Sequence, residues 1–235
     1  MEWLTDLFTM QFLTALASIV VIDLVLAGDN AIVIALAARN LPPHLQKKAI
    51  IWGTVGAVVV RSAMTIGVVW LLKIPGLMLV GGLALVWIAY KLLSDDSDGD
   101  EHGTGATTLA GAMKTIIIAD AVMGIDNVLA VAGAAHGSFL LVVLGLLISI
   151  PIVVWGSRLV LKLMSRYPVI IYIGAGVLAF TAVKMIEGEP LIKPFFLANQ
   201  AIAWLLYLVI IGGVLGLGYL AQKRRTVAAD NQQGA

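Results

Sequence analysis

Residues 23–31 read D-L-V-L-A-G-D-N-A and residues 120–128 read D-A-V-M-G-I-D-N-V, so the chain twice writes an aspartate, five residues, then Asp-Asn. Asp23, Asp29 and Asn30 thus recur as Asp120, Asp126 and Asn127 at an offset of 97, and the same offset carries Arg61 onto Arg158. At an offset of 93, Pro75 matches Pro168, Gly81 matches Gly174 and Lys91 matches Lys184. A repeat on this scale fixes an architecture before any single motif does.

The surroundings of the repeat are apolar. Of 235 residues 60% are hydrophobic and 12% charged, against roughly 25% charged in a soluble domain, and the mean hydropathy is +1.00. Stretches of spanning length run over 9–37, 50–72, 75–93, 108–135, 138–161, 168–186 and 200–221. A bilayer needs about 20 apolar residues per helix, so the sequence predicts an all-α, polytopic bundle of seven transmembrane helices. Three spans separate the two copies, an odd number, and the second copy therefore enters the membrane from the opposite side. The expected domain organisation is one transmembrane domain over 1–225: repeat one at 9–93, repeat two at 108–186 and an extra helix at 200–221. Such 3+3 inverted repeats are a transporter architecture with sites near the midplane.

Two polar segments remain. The acidic loop at 94–107, with Asp95, Asp96, Asp98, Asp100 and Glu101, has too little apolar surface to order itself, and the tail at 226–235 reads as disordered. Arg39, Lys47, Lys48, Lys91, Lys114, Lys162, Arg166, Lys223, Arg224 and Arg225 fall on one side of the predicted topology. The positive-inside rule makes that side cytoplasmic, with the N-terminus outside and the C-terminus and acidic loop inside. The acidic N-terminus, Met1-Glu2-Trp3-Leu4-Thr5-Asp6, lacks the basic region of a cleavable signal, so the first span is expected to stay. A net charge of +1 gives no reason for a nucleic-acid partner, and zero cysteines remove disulfides and thiolate chemistry.

Four of the 14 acids, Asp23, Asp29, Asp120 and Asp126, lie inside apolar segments, where a charged carboxylate costs roughly 2.5–3.5 kcal/mol on the lenient insertion scale. Arg61 and Arg158 are the candidate internal counter-charges. The remaining charge is what a divalent cation or exchangeable protons would balance. Residues seven apart share a helix face, so Asp23 projects with Asn30 and Asp120 with Asn127. Local unwinding beside Gly28 and Gly124 would turn Asp29 and Asp126 inward as well. Asp and Asn oxygens are hard ligands for Mg²⁺, Ca²⁺ or Mn²⁺; a thioether at Met123 would tilt the choice towards Mn²⁺. The expected metal-site set is Asp23, Asp29, Asn30, Asp120, Met123, Asp126 and Asn127.

The A-G-D-N-A at Ala27–Ala31 and the D-x-V-x-G-I-D-N-V-L-A at Asp120–Ala130 resemble the paired signatures of the TerC family of integral membrane proteins, within the wider LysE-type transporter group. The resemblance covers about residues 10–220. It implies a seven-helix transporter, with members linked to manganese efflux, and makes the motif acids and asparagines the metal-site candidates. Residues and resemblance together lead to a secondary transporter in the cell (inner) membrane that exports a divalent cation, most readily Mn²⁺, by alternating access, with protons as the economical coupling ion.

The bilayer and the transported ion are its expected partners, and the reading leaves room for a homo-oligomer. No resident cofactor is expected, and neither is an enzyme: there is no G-x-x-x-x-G-K loop for ATP, and the two-copy Asp/Asn symmetry is unlike a protease dyad. The alternatives are a Ca²⁺ or Na⁺ exchanger, an exporter of a small polar metabolite, and a non-transporting partner in membrane-protein assembly or in metal loading of secreted enzymes.

Overall fold

The computed structural model describes residues 9–26, 28–71, 74–94, 108–135 and 138–233. Most of the acidic loop, at 95–107, lies outside them. Every regular element among the described residues is helical: α1 Met10–Leu26, α2 Gly28–Ala38, α3 Pro43–Ile66, α4 Val68–Leu71, α5 Leu77–Ser94, α6 Leu109–Ala134, α7 Phe139–Arg166, α8 Val169–Gly188, α9 Lys193–Ala198 and α10 Gln200–Gln233.

Local chemistry sets the starts. Pro43 opens α3, where a missing N–H costs nothing. Thr108 caps α6 by accepting from the Gly111 amide at 3.1 Å, and Ser138 caps α7 by accepting from the Leu141 amide at 3.4 Å. The expected boundaries shift accordingly. α3 begins seven residues before the apolar stretch at residue 50, because Pro42-Pro43 and not hydropathy decides its start. α10 carries helix through 226–233, where the sequence suggested a disordered tail; that stretch contains no Gly or Pro to stop it.

Five helices, α3, α5, α7, α8 and α10 as far as Lys223, are long and apolar enough to cross a membrane. α1 and α2, bent by 49° relative to each other, make a sixth candidate as a pair. Seven spans were expected, and the difference is α6. It is 26 residues long, about 39 Å at 1.5 Å per residue, and carries Asp120 and Asp126 within its apolar run.

The outer surface agrees with a lipid environment. All five tryptophans among the described residues, Trp52, Trp70, Trp87, Trp155 and Trp204, are more than half exposed, which is anomalous in water and ordinary in an interfacial aromatic belt. Inside, α3 lies along α6 and α5 along α8, the two most extensive pairings; α1 and α2 together cover α7, and α10 rests on α5 and α8. The central core joins Leu36, Leu85, Leu93, Met123, Leu178 and Met185. At one end the buried Glu189 carboxylate accepts from the Gly76 amide at 2.9 Å and the Met78 amide at 3.2 Å, so the end of α8 holds the start of α5. Gly76 has a φ of +80°, which a residue with a Cβ adopts only at a cost. These pairings leave a polar interior where α1, α2, α3, α6 and α8 converge.

Candidate functional site

Asp23 stands in the last turns of α1 and Asp29 in the first turn of α2, on either side of the 49° bend. A helix broken at this depth exposes amide and carbonyl groups that only a polar site can satisfy. The Asp29 carboxylate takes up part of that need by accepting from the Asn30 amide at 2.9 Å, in the position the α2 dipole favours. The Thr181 hydroxyl, on α8, donates to its other oxygen at 3.3 Å.

Arg61 is the centre of the site. From α3 it donates through one terminal nitrogen to Asp23 and through the other to Asp120 on α6. All three are buried, at 4%, 3% and 8% exposure respectively. The guanidinium is suited to this because it presents donors in a fixed planar fork. Its neighbour on α6 is Gly124, where a Cβ would come to 3.7 Å from the Arg61 Nε. Two carboxylates against one guanidinium leave the trio formally one negative charge in excess, and Asp29, across the bend from Asp23, adds to it.

Two buried polar atoms here have no hydrogen-bond partner, Asp120 Oδ2 and Arg61 Nε, and the same holds for Asn30 Oδ1, next to Asp29 in the chain, and for Thr54 Oγ1 on α3. Buried oxygens are rarely left so. Thr54 lies seven residues before Arg61 and hence on the same face of α3. The three oxygens are hard donors, of the kind that hold Mg²⁺, Ca²⁺ or Mn²⁺.

The expected ligand set is only partly brought together. Asp23, Asp29, Asn30 and Asp120 belong to this polar interior. Asn127 is half-buried, and the Asp126 side chain lies outside the described residues. Among the described residues no three His, Cys, Asp or Glu side chains gather as a metal cluster, because Arg61 occupies the place between the acids of the two copies. Met123 is 3% exposed within the apolar core, among residues such as Leu85, Ala119 and Met185. That is the gap-filling use of a thioether.

The two arginines were paired in the sequence and part in the structure. Arg158 is exposed and lines a cleft of about 460 Å³ with Arg39, Asn40, Gln46 and Lys162. Among the described residues no carboxylate pairs with it. Of the two glycines expected to unwind, Gly28 opens α2 at the 49° bend, whereas α6 runs unbroken through Gly124. Thr54 and Thr181 were missed, and no signal marked them: Thr181 is the one threonine of the apolar α8, and Thr54 shares α3 with a second buried threonine, Thr65.

A bundle of membrane-crossing helices around a buried, charge-bearing polar centre defines the class: a multi-pass integral membrane protein. Residues 8–226 match the model of the Integral membrane protein TerC family, and the chain belongs to that family. It is similar to the Bacillus subtilis (strain 168) "Uncharacterized membrane protein YjbE", at 42% identity over 87% of this chain and 94% of that protein. It is also similar to the Escherichia coli (strain K12) "UPF0053 inner membrane protein YgdQ", at 25% identity over 71% of this chain and 76% of that one. With the B. subtilis "Uncharacterized membrane protein YkoY" the identity is 26% over 61% of this chain and 50% of that protein. No solved structure matches the chain.

Proposed function

We propose that the chain is a secondary transporter of the inner membrane that exports a divalent cation, Mn²⁺ foremost, by rocking two inverted repeats about the polar centre. The observation that carries this reading is the meeting of Asp23 and Asp120, the same position of the two copies, on one buried guanidinium. Two acids at so costly a depth, beside oxygens that lack donors, are what a passing hard cation needs and what a purely structural bundle would avoid.

The packing supports an exchange of roles between the repeats. Ile19 of α1 and Ile116 of α6 are mates at the offset of 97. Ile19 fills the space over Gly145 on α7 of repeat two, and Ile116 fills the space over Gly53 on α3 of repeat one. Each repeat thus inserts the same knob into a glycine hole of the other. In this reading α6 is the seventh span, equivalent to the bent α1–α2 pair.

Export of a divalent cation works against a membrane potential worth about 2.3 kcal/mol per charge per 100 mV. The carboxylates that release the cation outside can carry protons back. In proteoliposomes of the purified chain, Mn²⁺ flux is expected to appear without any partner protein and to rise when a pH gradient drives protons the opposite way. Absence of flux would favour the assembly or metal-loading reading, and flux indifferent to the gradient would reject proton coupling.

Orientation has its own test. A cysteine introduced by Ser97→Cys is expected to resist a membrane-impermeant thiol reagent in intact cells and to react after permeabilisation, because basic residues bracket that loop. Labelling in intact cells would overturn the assigned orientation.

A further inference from the structure

Arg61 and a bound divalent cation would make the same demand on the same pair of carboxylates. The guanidinium spans from Asp23 on α1 to Asp120 on α6, and each of these carboxylates belongs to a different copy of the motif. A cation bound between both would compete with it there. Arg61 is well placed to give way: its Nε has no hydrogen-bond partner, and the Gly124 it lies against presents no side chain to hold it. Arg158, at the equivalent position of repeat two, lies away from the acids on an exposed cleft, so one arginine alone serves both carboxylates.

Resting on the transport reading above, we infer that Arg61 is a tethered stand-in for the transported cation, offsetting one of the paired carboxylates while a returning proton offsets the other, so that the unloaded transporter can reorient. The physical ground is the cost of moving uncompensated charge through a low-dielectric interior. With cation aboard, the cation balances Asp23 and Asp120. Without it, Arg61 is the one cationic side chain among the described residues that pairs with them, and it leaves a single carboxylate charge for a returning proton to cancel. A complete export cycle contains one loaded and one unloaded reorientation, whereas cation-for-cation exchange contains only loaded ones. Arg61 is therefore needed for net export and dispensable for exchange.

The test compares two fluxes of radiolabelled Mn²⁺ from proteoliposomes: net efflux into cation-free medium, and exchange against Mn²⁺ outside. The readout is their ratio, which cancels the fraction of correctly folded protein. Arg61→Gln is expected to keep measurable exchange while the ratio of net efflux to exchange falls by at least about a hundredfold. Arg61→Lys keeps a charge but loses the fork that reaches both carboxylates, and its ratio is expected to fall about tenfold.

A wild-type ratio in Arg61→Gln would overturn the inference. If that variant does not fold, a wild-type ratio in Arg61→Lys would do so. Wild-type protein that shows neither flux would instead sink the transport reading on which the inference rests, so the two failures are distinguishable.

Discussion

Asp23→Asn and Asp120→Asn, taken singly, are expected to lower Mn²⁺ flux by at least about a hundredfold while leaving the protein folded and inserted. The asymmetry of the charge trio is the reason. Two carboxylates face one guanidinium, so either can lose its charge and leave Arg61 paired with the other. Asn keeps the size and one acceptor oxygen, and stability should change little. The cation site fares worse, because a divalent ion in a low-dielectric interior depends on the full charge of its ligands.

The double variant should behave differently. It strands Arg61 as a buried, uncompensated cation, a loss of about 3–5 kcal/mol, and folded protein should decline. Thermal unfolding in detergent alongside proteoliposome flux checks both halves. Flux at wild-type level in Asp23→Asn would return these acids to a structural role, and unfolding of the single variants would mean that both carboxylates are needed to hold Arg61.

The fold was legible because its determinants are one-dimensional. Apolar run length and the Asp-x5-Asp-Asn repeat suffice to predict an all-helical membrane bundle. What escaped was decided by backbone detail within those runs. Hydropathy does not distinguish a straight span from the bent pair α1–α2, and it does not reveal that Pro42-Pro43 starts α3 early. The short α9, between the apolar stretches that end at 186 and start at 200, has Lys193-Pro194 at its start and contacts α10 and α8.

The site was legible in its charges and illegible in its partners. Asp23, Asp120 and Arg61 stood out because ionised groups inside apolar segments need compensation. Sequence alone offered Arg61 and Arg158 as equals. Their separation follows from which arginine faces the space between α1 and α6, a matter of helix rotation that an offset cannot encode. Thr181 holds Asp29 from 152 residues away in the chain, and such a bond has no local signature. Met123 was read by its proximity to Asp120; three residues along a helix leave it about 60° round from that carboxylate, and the edge of the apolar core falls within that angle.

Gly82→Ala is expected to be the most damaging conservative change in the glycine seams. α5 and α8 are the last spans of the two repeats, and their contact is among the two most extensive in the bundle. A Cβ on Gly82 would sit 2.8 Å from the Ala182 carbonyl oxygen and 2.7 Å from the Ile186 Cγ1. A carbonyl within a helix cannot step aside as a side-chain end can. The substitution must therefore push α5 from α8, at a cost of about 1–3 kcal/mol or more, as for other overpacked cores.

Gly53→Ala meets only the Ile116 side chain, at 2.7 Å from Cδ1 and 3.2 Å from Cβ, and with no backbone atom in the way should lose less. Gly212→Ala meets nothing within 4 Å and should gain a few tenths of a kcal/mol from helix propensity. Thermal denaturation of the three variants in one detergent tests the order Gly212→Ala above Gly53→Ala above Gly82→Ala. Equal stability of Gly82→Ala and Gly212→Ala would mean that α5 and α8 are free to separate. The close contact would then be a feature of one arrangement of the repeats and not a fixed hinge on which they rock.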